Sequence, residues 1–175
     1  MKNSKLNGNI IIPIEKNEQF LHTLEKIYND EELSVDEYNL ISDFVEDKQG
    51  INFIYGPTHS GKTEYLNSKL DQLVLDENAK ILIIDTNRIG LYRFNDYKNV
   101  TYVMDNYLKQ LNSFDGNYIF IDEIFSVFDR GFKKALMEKV KKEKICTFVT
   151  SQVQYFSKND LKKVTLIKLK GYKDE

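Results

Sequence analysis

Apolar residues fall into two kinds of pattern along the chain, and the two alternate. Short, nearly unbroken apolar runs rich in β-branched residues occur at 51–55 (INFIY), 80–85 (KILIID), 99–104 (NVTYVM), 118–121 (YIFI), 147–150 (TFVT) and 165–169 (TLIKL). Runs of this length without a polar face read as strands buried on both sides. Between them lie segments with apolar residues at helical spacing, clearest at 62–75 and 131–144 and shorter at 107–111. Such alternation predicts an α/β fold, a three-layer sandwich with a mainly parallel sheet covered on both faces. Ligands on such a sheet bind beyond the carboxyl ends of the strands.

The first fifty residues follow a different pattern. Residues 1–8 read as a mobile terminus, and 9–14 as a β-prone run broken by Pro13, at best an edge strand. Phe20, Leu21, Leu24, Ile27 and Tyr28 share one helical face. A second helix starts at Ser34, with Glu37 in capping-box position, and carries Val35, Tyr38, Ile41, Phe44 and Val45 at helical spacing. The expectation is a helical N-terminal extension, residues 1–50, packed on a core of residues 51–175. Docking to a partner or shaping a base pocket is its alternative role.

The first apolar core run leads straight into GPTHSGKT, residues 56–63, which fits the phosphate-binding pattern G-x-x-x-x-G-K-[ST]. A strand before it and a helix after it supply the context this pattern needs. Gly56 and Gly61 allow a tight turn, so that the loop of Gly56, Pro57, Thr58, His59, Ser60 and Gly61 aims its backbone N–H groups inward and forms an anion nest with the helix start; Pro57 shapes the turn and donates none. Lys62 reaches the β- and γ-phosphates of a nucleotide, and the Thr63 hydroxyl becomes a Mg²⁺ ligand. Downstream, YIFIDE ends a buried strand in two acids. Asp122 is placed to hold Mg²⁺ with Thr63, directly or through water, and Glu123 to orient and polarise the attacking water. ATP and Mg²⁺ are the expected cofactors; adenine against guanine is left open, because base contacts come from scattered residues.

Together these motifs resemble the RecA-like P-loop NTPases with an additional strand and a catalytic glutamate, a group that includes helicase cores, AAA+ proteins, and DNA translocases and packaging motors. The resemblance spans about residues 50–170. It implies that the strand after the Asp-Glu strand ends in a sensor of the γ-phosphate; TFVTSQ offers Thr150, Ser151 and Gln152, of which Gln152 matches the glutamine of the translocase and packaging branch. KILIIDTNR resembles the second core strand of helicase-type ATPases, whose end, here Asp85 to Arg88, touches nucleic acid. No helical lid like that of AAA+ proteins is read after residue 171. The resulting expectation is an ATPase coupling hydrolysis to DNA translocation, packaging or remodelling, with one core and therefore acting as a homo-oligomer or with a partner protein. GPTHSGKT also resembles the phosphate loop of thymidine kinases, so a nucleoside kinase is one alternative. A nucleotide-binding assembly switch with little turnover is another.

Composition narrows this picture modestly. The 175 residues suit one core, and a net charge of −2 means that any nucleic-acid contact must use a local patch. Lys133, Lys134, Lys139, Lys141, Lys142 and Lys144 form the one basic cluster, whose ordinary role is a solvated helix face. Arg88, Arg93 and Arg130 are the only arginines. Arg130, then Arg93, are the candidates for a finger completing phosphoryl transfer. A single cysteine, Cys146, excludes an internal disulfide and a cysteine-rich zinc site, which also counts against the thymidine-kinase reading. No run approaches a membrane span and the first residues lack a signal-peptide core, so a cytoplasmic protein is expected.

Overall fold

The computed structural model describes residues 5–6, 9–11, 19, 22–23, 26, 31–32, 34, 49–88 and 90–169. Among them, eight strands form one sheet: β1 (Lys5–Leu6), β2 (Asn9–Ile11), β3 (Gly50–Tyr55), β4 (Ile81–Asp85), β5 (Val100–Val103), β6 (Tyr118–Asp122), β7 (Cys146–Ser151) and β8 (Val164–Lys168). Their spatial order is β1-β2-β8-β3-β7-β6-β4-β5. Every neighbouring pair is parallel except β1 with β2. Three α-helices connect the core strands: α1 (Lys62–Leu73), α2 (Tyr107–Ser113) and α3 (Phe132–Glu143).

Strand polarity follows from burial on both faces. All five residues of β4 and all six of β7 are buried. Alternate residues then feed two cores. Ile81, Ile83, Phe120 and Phe148 pack with Tyr65, Leu66, Leu70 and Leu73 of α1. Leu82, Ile84, Ile119, Ile121 and Val149 pack on the other side with Leu111 of α2 and Phe132, Leu136 and Val140 of α3. Burying each such side chain contributes roughly 1.5–3 kcal/mol, so the sheet is clamped between two helical layers. This is the three-layer sandwich expected from the alternating pattern.

Two features place the site. Strand β7 lies between β3, which carries the phosphate loop, and β6, which ends in Asp122; it takes the place of the additional strand that the resemblance implies. Because β3, β4, β6 and β7 are parallel, their carboxyl ends lie along one edge, and the register sets Asp85 directly beside Asp122.

The first strands depart from expectation. Asn9–Ile11 is paired on both sides, to β8 and to Lys5–Leu6, so it is not an edge, and residues 5–6 do not belong to a free terminus. A two-residue strand carries no readable period; the open backbone groups of β2 recruit it. Gln19, His22, Thr23 and Lys26 are helical, and Thr23 Oγ1 donates to the Gln19 carbonyl at 2.7 Å. Most of the two expected N-terminal helices, including nearly all of the segment after Ser34, lies outside the described residues.

The turn after β4 hangs on one carboxylate. Asp85 is fully buried and accepts hydrogen bonds from the backbone N–H groups of Arg88 (3.1 Å) and Leu91 (2.9 Å) and from the Tyr102 hydroxyl (2.7 Å). Burial and this carboxylate push the Tyr102 phenol well above its usual value, so it stays a donor. Asp85→Ala leaves the Leu91 N–H and the Tyr102 hydroxyl without this acceptor and the Arg88 N–H with only its longer bond to the residue-85 carbonyl (3.4 Å); it is expected to cost about 3 kcal/mol, against about 1 kcal/mol for Tyr102→Phe. Denaturant midpoints measure both, and an Asp85→Ala protein with the wild-type midpoint would show that the turn is held by something else.

Candidate phosphate and metal site

The chain leaves β3 at Tyr55, whose carbonyl accepts from Leu169 N at 2.7 Å, and Gly56 N donates to Ser151 O at 3.3 Å. The loop is therefore fastened to its neighbouring strands before it turns. His59 and Gly61 take left-handed backbone angles, with φ of 61° and 86°. At Gly61, the residue immediately before α1, an L side chain would be strained. No side chain caps the start of α1. Its first N–H groups, which lack partners within the helix, therefore face the loop with the positive end of the helix dipole. Ser60 Oγ is buried without a hydrogen-bond partner among the described residues.

Thr58, His59, Ser60, Gly61, Lys62, Thr63 and Glu64 line one side of a cavity of about 200 Å³, and Asn87, Asp122, Glu123 and Gln152 line the other. This is below the roughly 300–1,000 Å³ of sites that enclose a whole ligand. It has room for phosphates, with the rest of a nucleotide outside.

The side chains inside are held by one another. Lys62 is buried and its Nζ donates to the Pro57 carbonyl at 2.6 Å, back onto its own loop. Burial pushes its ammonium below the usual lysine value, against the opposing pull of Glu123, Asp122 and Glu64. Thr63 Oγ1 donates to Asp122 Oδ2 at 3.1 Å, and Thr150 Oγ1 donates to Asp122 Oδ1 at 2.6 Å. The same Thr150 oxygen accepts from Glu123 N at 2.8 Å. Glu123 sits at φ 58°, and its Oε1 accepts from Ser151 Oγ and Gln152 N, each at 3.3 Å. Gln152 Oε1 in turn accepts from Thr58 Oγ1 at 3.0 Å.

The donor set fits a nucleotide-bound magnesium ion. One hydroxyl and one carboxylate lie in hydrogen-bond contact beside an anion nest, and Mg²⁺ characteristically takes one or two protein oxygens with phosphate and water completing its shell. Among the described residues, no cluster of three or more His, Cys, Asp or Glu could hold a metal by itself. The site could therefore hold a phosphate chain along the loop and a cation between it and Thr63 and Asp122.

The structure thus brings Lys62, Thr63, Asp122, Glu123 and Gln152 to one cavity. It does not bring the arginines there. Arg93 is bound to Asp71 on α1 at 2.6 Å, and Arg130 lines a separate cavity with Asp129, Asn106 and Lys109. The lysines of α3 are partly engaged: Lys133 with Asp160, Lys134 with Glu138 and Lys139 with Glu143. Thr150, offered from sequence with Ser151 and Gln152 as a sensor of the γ-phosphate, contacts Asp122 directly. Asn67 and Gly90 were not singled out and also touch the site, Asn67 through the Thr63 carbonyl and Gly90 through its backbone against Thr63 and Asp122. A strand ending in a hydroxyl next to one ending in an acid was the available signal for Thr150; a lone glycine and a helical asparagine carry none.

Burial raises the Asp122 carboxyl above the ordinary aspartate value, helped by Asp85 and Glu123 and opposed by the Thr150 and Thr63 hydroxyls. Its folded value exceeds its unfolded one, so ionisation disfavours the fold; this penalty is complete above the folded pKa and vanishes below the unfolded one. Nucleotide-free Asp122→Asn is expected to melt higher than wild type at neutral pH, with the gap closing as pH falls into the carboxylate range. A variant that melts lower at pH 7, by the same amount at every pH, would overturn this account of the site.

Among the described residues, no helix is long and apolar enough to cross a membrane. Comparison with curated proteins finds no match. The Legionella pneumophila ATPase DotB shares the fold at 20% identity and TM-score 0.50, over 67% of this chain and 34% of that one. A structure of Drosophila ORC bound to DNA does so at 15% identity and TM-score 0.50, over 89% of this chain and 47% of that one. The present chain therefore spans less than half the length of either. The AAA domain family model matches residues 48–165, most of the chain, and its match falls on the strands and loops that build the phosphate cavity; the chain belongs to this family of P-loop ATPases.

Proposed function

We propose that this protein hydrolyses ATP with Mg²⁺ and couples the cycle to moving, packaging or remodelling DNA, as an oligomer or with a partner protein. One observation carries the hydrolytic part: the loop with Lys62 and Thr63 and the strand end with Asp122 and Glu123 line a single cavity. A loop alone would only bind; a carboxylate pair opposite it can also act on water.

In this reading the N–H groups of the loop and of the α1 start hold the phosphates. Lys62 leaves the Pro57 carbonyl for the β- and γ-phosphates. Thr63 and Asp122 would hold Mg²⁺, which when bound neutralises charge on the phosphate oxygens. Glu123 leaves its contacts with Ser151 and Gln152 to orient the attacking water and accept its proton. Gln152 links the Thr58 loop to Glu123 through its side chain and backbone, a placement that suits a phosphate sensor. Residues 51–175 carry the ATPase site, in a cytoplasmic protein. The DNA role rests on the resemblance to single-core translocases, on a fold neighbour bound to DNA, and on the exposed Lys141, Lys142 and Lys144 at the end of α3. A nucleotide-controlled switch with slow turnover is the second reading, favoured by the engagement of Glu123 with Ser151 and Gln152.

The test is phosphate release from ATP by wild type, Lys62→Ala and Glu123→Gln, alone, with single- or double-stranded DNA, and with nucleosides. Lys62→Ala is expected to lose nucleotide affinity, and Glu123→Gln to bind ATP but turn over about 100-fold more slowly. DNA-stimulated release by wild type supports the motor. Phosphate transfer to a nucleoside would overturn it in favour of a kinase. Tight binding without release under any condition would leave the switch.

A further inference from the structure

We infer that Asn67 is a positioning residue for the Thr63–Asp122 pair, tying the first turn of α1 to the loop after β4 and so setting the gap into which the cation fits. The inference rests on the reading of Thr63 and Asp122 as Mg²⁺ ligands.

Asn67 lies one turn beyond Thr63 on α1 and is 7% exposed. Its amide is fully used. Nδ2 donates to the Thr63 carbonyl at 3.0 Å and to the Gly90 carbonyl at 3.1 Å, while Oδ1 accepts from Arg93 Nε at 3.0 Å. Arg93 is itself anchored one turn further along α1, by Asp71. The bond to residue 90 matters because of what that residue touches. A Cβ on Gly90 would stand 2.6 Å from Thr63 Cγ2 and 3.0 Å from Asp122 Oδ2. The backbone at Gly90 is thus pressed against both proposed ligands, and only the absence of a side chain permits it.

The loop cannot retreat easily. Asp85 holds its far side at Arg88 and Leu91, and Thr86 Oγ1 donates to the Asp122 carbonyl at 3.2 Å. Asn67 supplies the remaining fastening, on the helix side. Its chemistry is specific: two donors for two carbonyls and one acceptor for a guanidinium. Aspartate would keep the acceptor and lose both donors, and leucine would lose all three. Groups behind a metal ligand commonly change metal affinity by about 10- to 100-fold when removed, because they hold the ligand rather than touch the ion.

The discriminating measurement separates metal affinity from nucleotide affinity. Mn²⁺ serves as a paramagnetic probe, titrated against protein saturated with ADP and followed by electron paramagnetic resonance. Binding of fluorescent ADP without divalent cation and ATP hydrolysis against Mg²⁺ concentration are measured in parallel. Asn67→Leu is expected to weaken Mn²⁺ binding roughly tenfold, to leave metal-free ADP binding at the wild-type level, and to regain hydrolysis at high Mg²⁺. Arg93→Ala, a half-exposed change, should shift the Mn²⁺ curve in the same direction by less. Wild-type Mn²⁺ affinity in both variants would overturn the inference, as would equal losses of metal and nucleotide binding, which would mark Asn67 as a general support of the helix. If Asn67→Leu does not fold, Arg93→Ala decides alone. A wild type that binds Mn²⁺–ADP but never hydrolyses ATP would sink the proposed reaction while the Asn67 comparison stands; a wild type that binds no Mn²⁺ would overturn the Asn67 inference together with the metal assignment.

Discussion

The Asp122 carboxylate sits where burial disfavours a negative charge, at the end of a strand buried on both faces and directly beside the buried Asp85. Two hydroxyls, from Thr63 and Thr150, are what the protein sets against that cost. Each comes from a different element: Thr63 from the start of α1, Thr150 from the end of β7. The carboxylate is therefore a joint between the loop, the inserted strand and the strand that carries it. Placing β7 between β3 and β6 makes the joint possible, since it brings the Thr150 hydroxyl level with the acid.

Around this joint the protein is ordered by hydrogen bonds more than by shape. Asp85 pulls the chain after β4 into a tight turn, and the turn presents a glycine to Thr63 and Asp122. Glu123 is drawn the other way, toward Ser151 and Gln152. Lys62 folds back on Pro57. Each of these contacts is made by a group that a phosphate chain and a cation would compete for, except those behind Thr63 and Asp122. The proposed reacting groups and their supports are thus distinguishable by direction: the supports face the helix and the β4 turn, the others the cavity.

How legible this was depended on sequence distance. The phosphate loop and the Asp-Glu strand end could be read because each is a contiguous pattern whose neighbours in sequence are its neighbours in space. The core strands were readable for the same reason, with bounds moved by a residue or so; α2 runs on to Ser113, past the expected Leu111. The Thr150–Asp122 bond joins residues 28 apart and the Asn67–Gly90 bond residues 23 apart. Both depend on strand order and helix phase, which one sequence does not state. Arg93 shows the converse. As one of three arginines it invited a role in phosphoryl transfer, yet Asp71, a helical turn beyond Asn67 on α1, claims its charge.

Glu123 is held in a different way from Asp122. A non-glycine residue at φ 58° occupies a sparsely populated region that costs of order 1–3 kcal/mol. The surroundings hold it there: Thr150 accepts its N–H, and Ser151 and Gln152 donate to its carboxylate. The backbone strain and the hydrogen bond to Thr150 do not depend on where the carboxylate points. The two contacts at 3.3 Å do, and they are long for charge-assisted bonds. A side chain on a fixed backbone, held by two weak contacts, can swing without disturbing Asp122. That separation would let the proposed metal site stay rigid while its neighbour moves, because the shared Thr150 oxygen holds the Glu123 backbone and not its carboxylate.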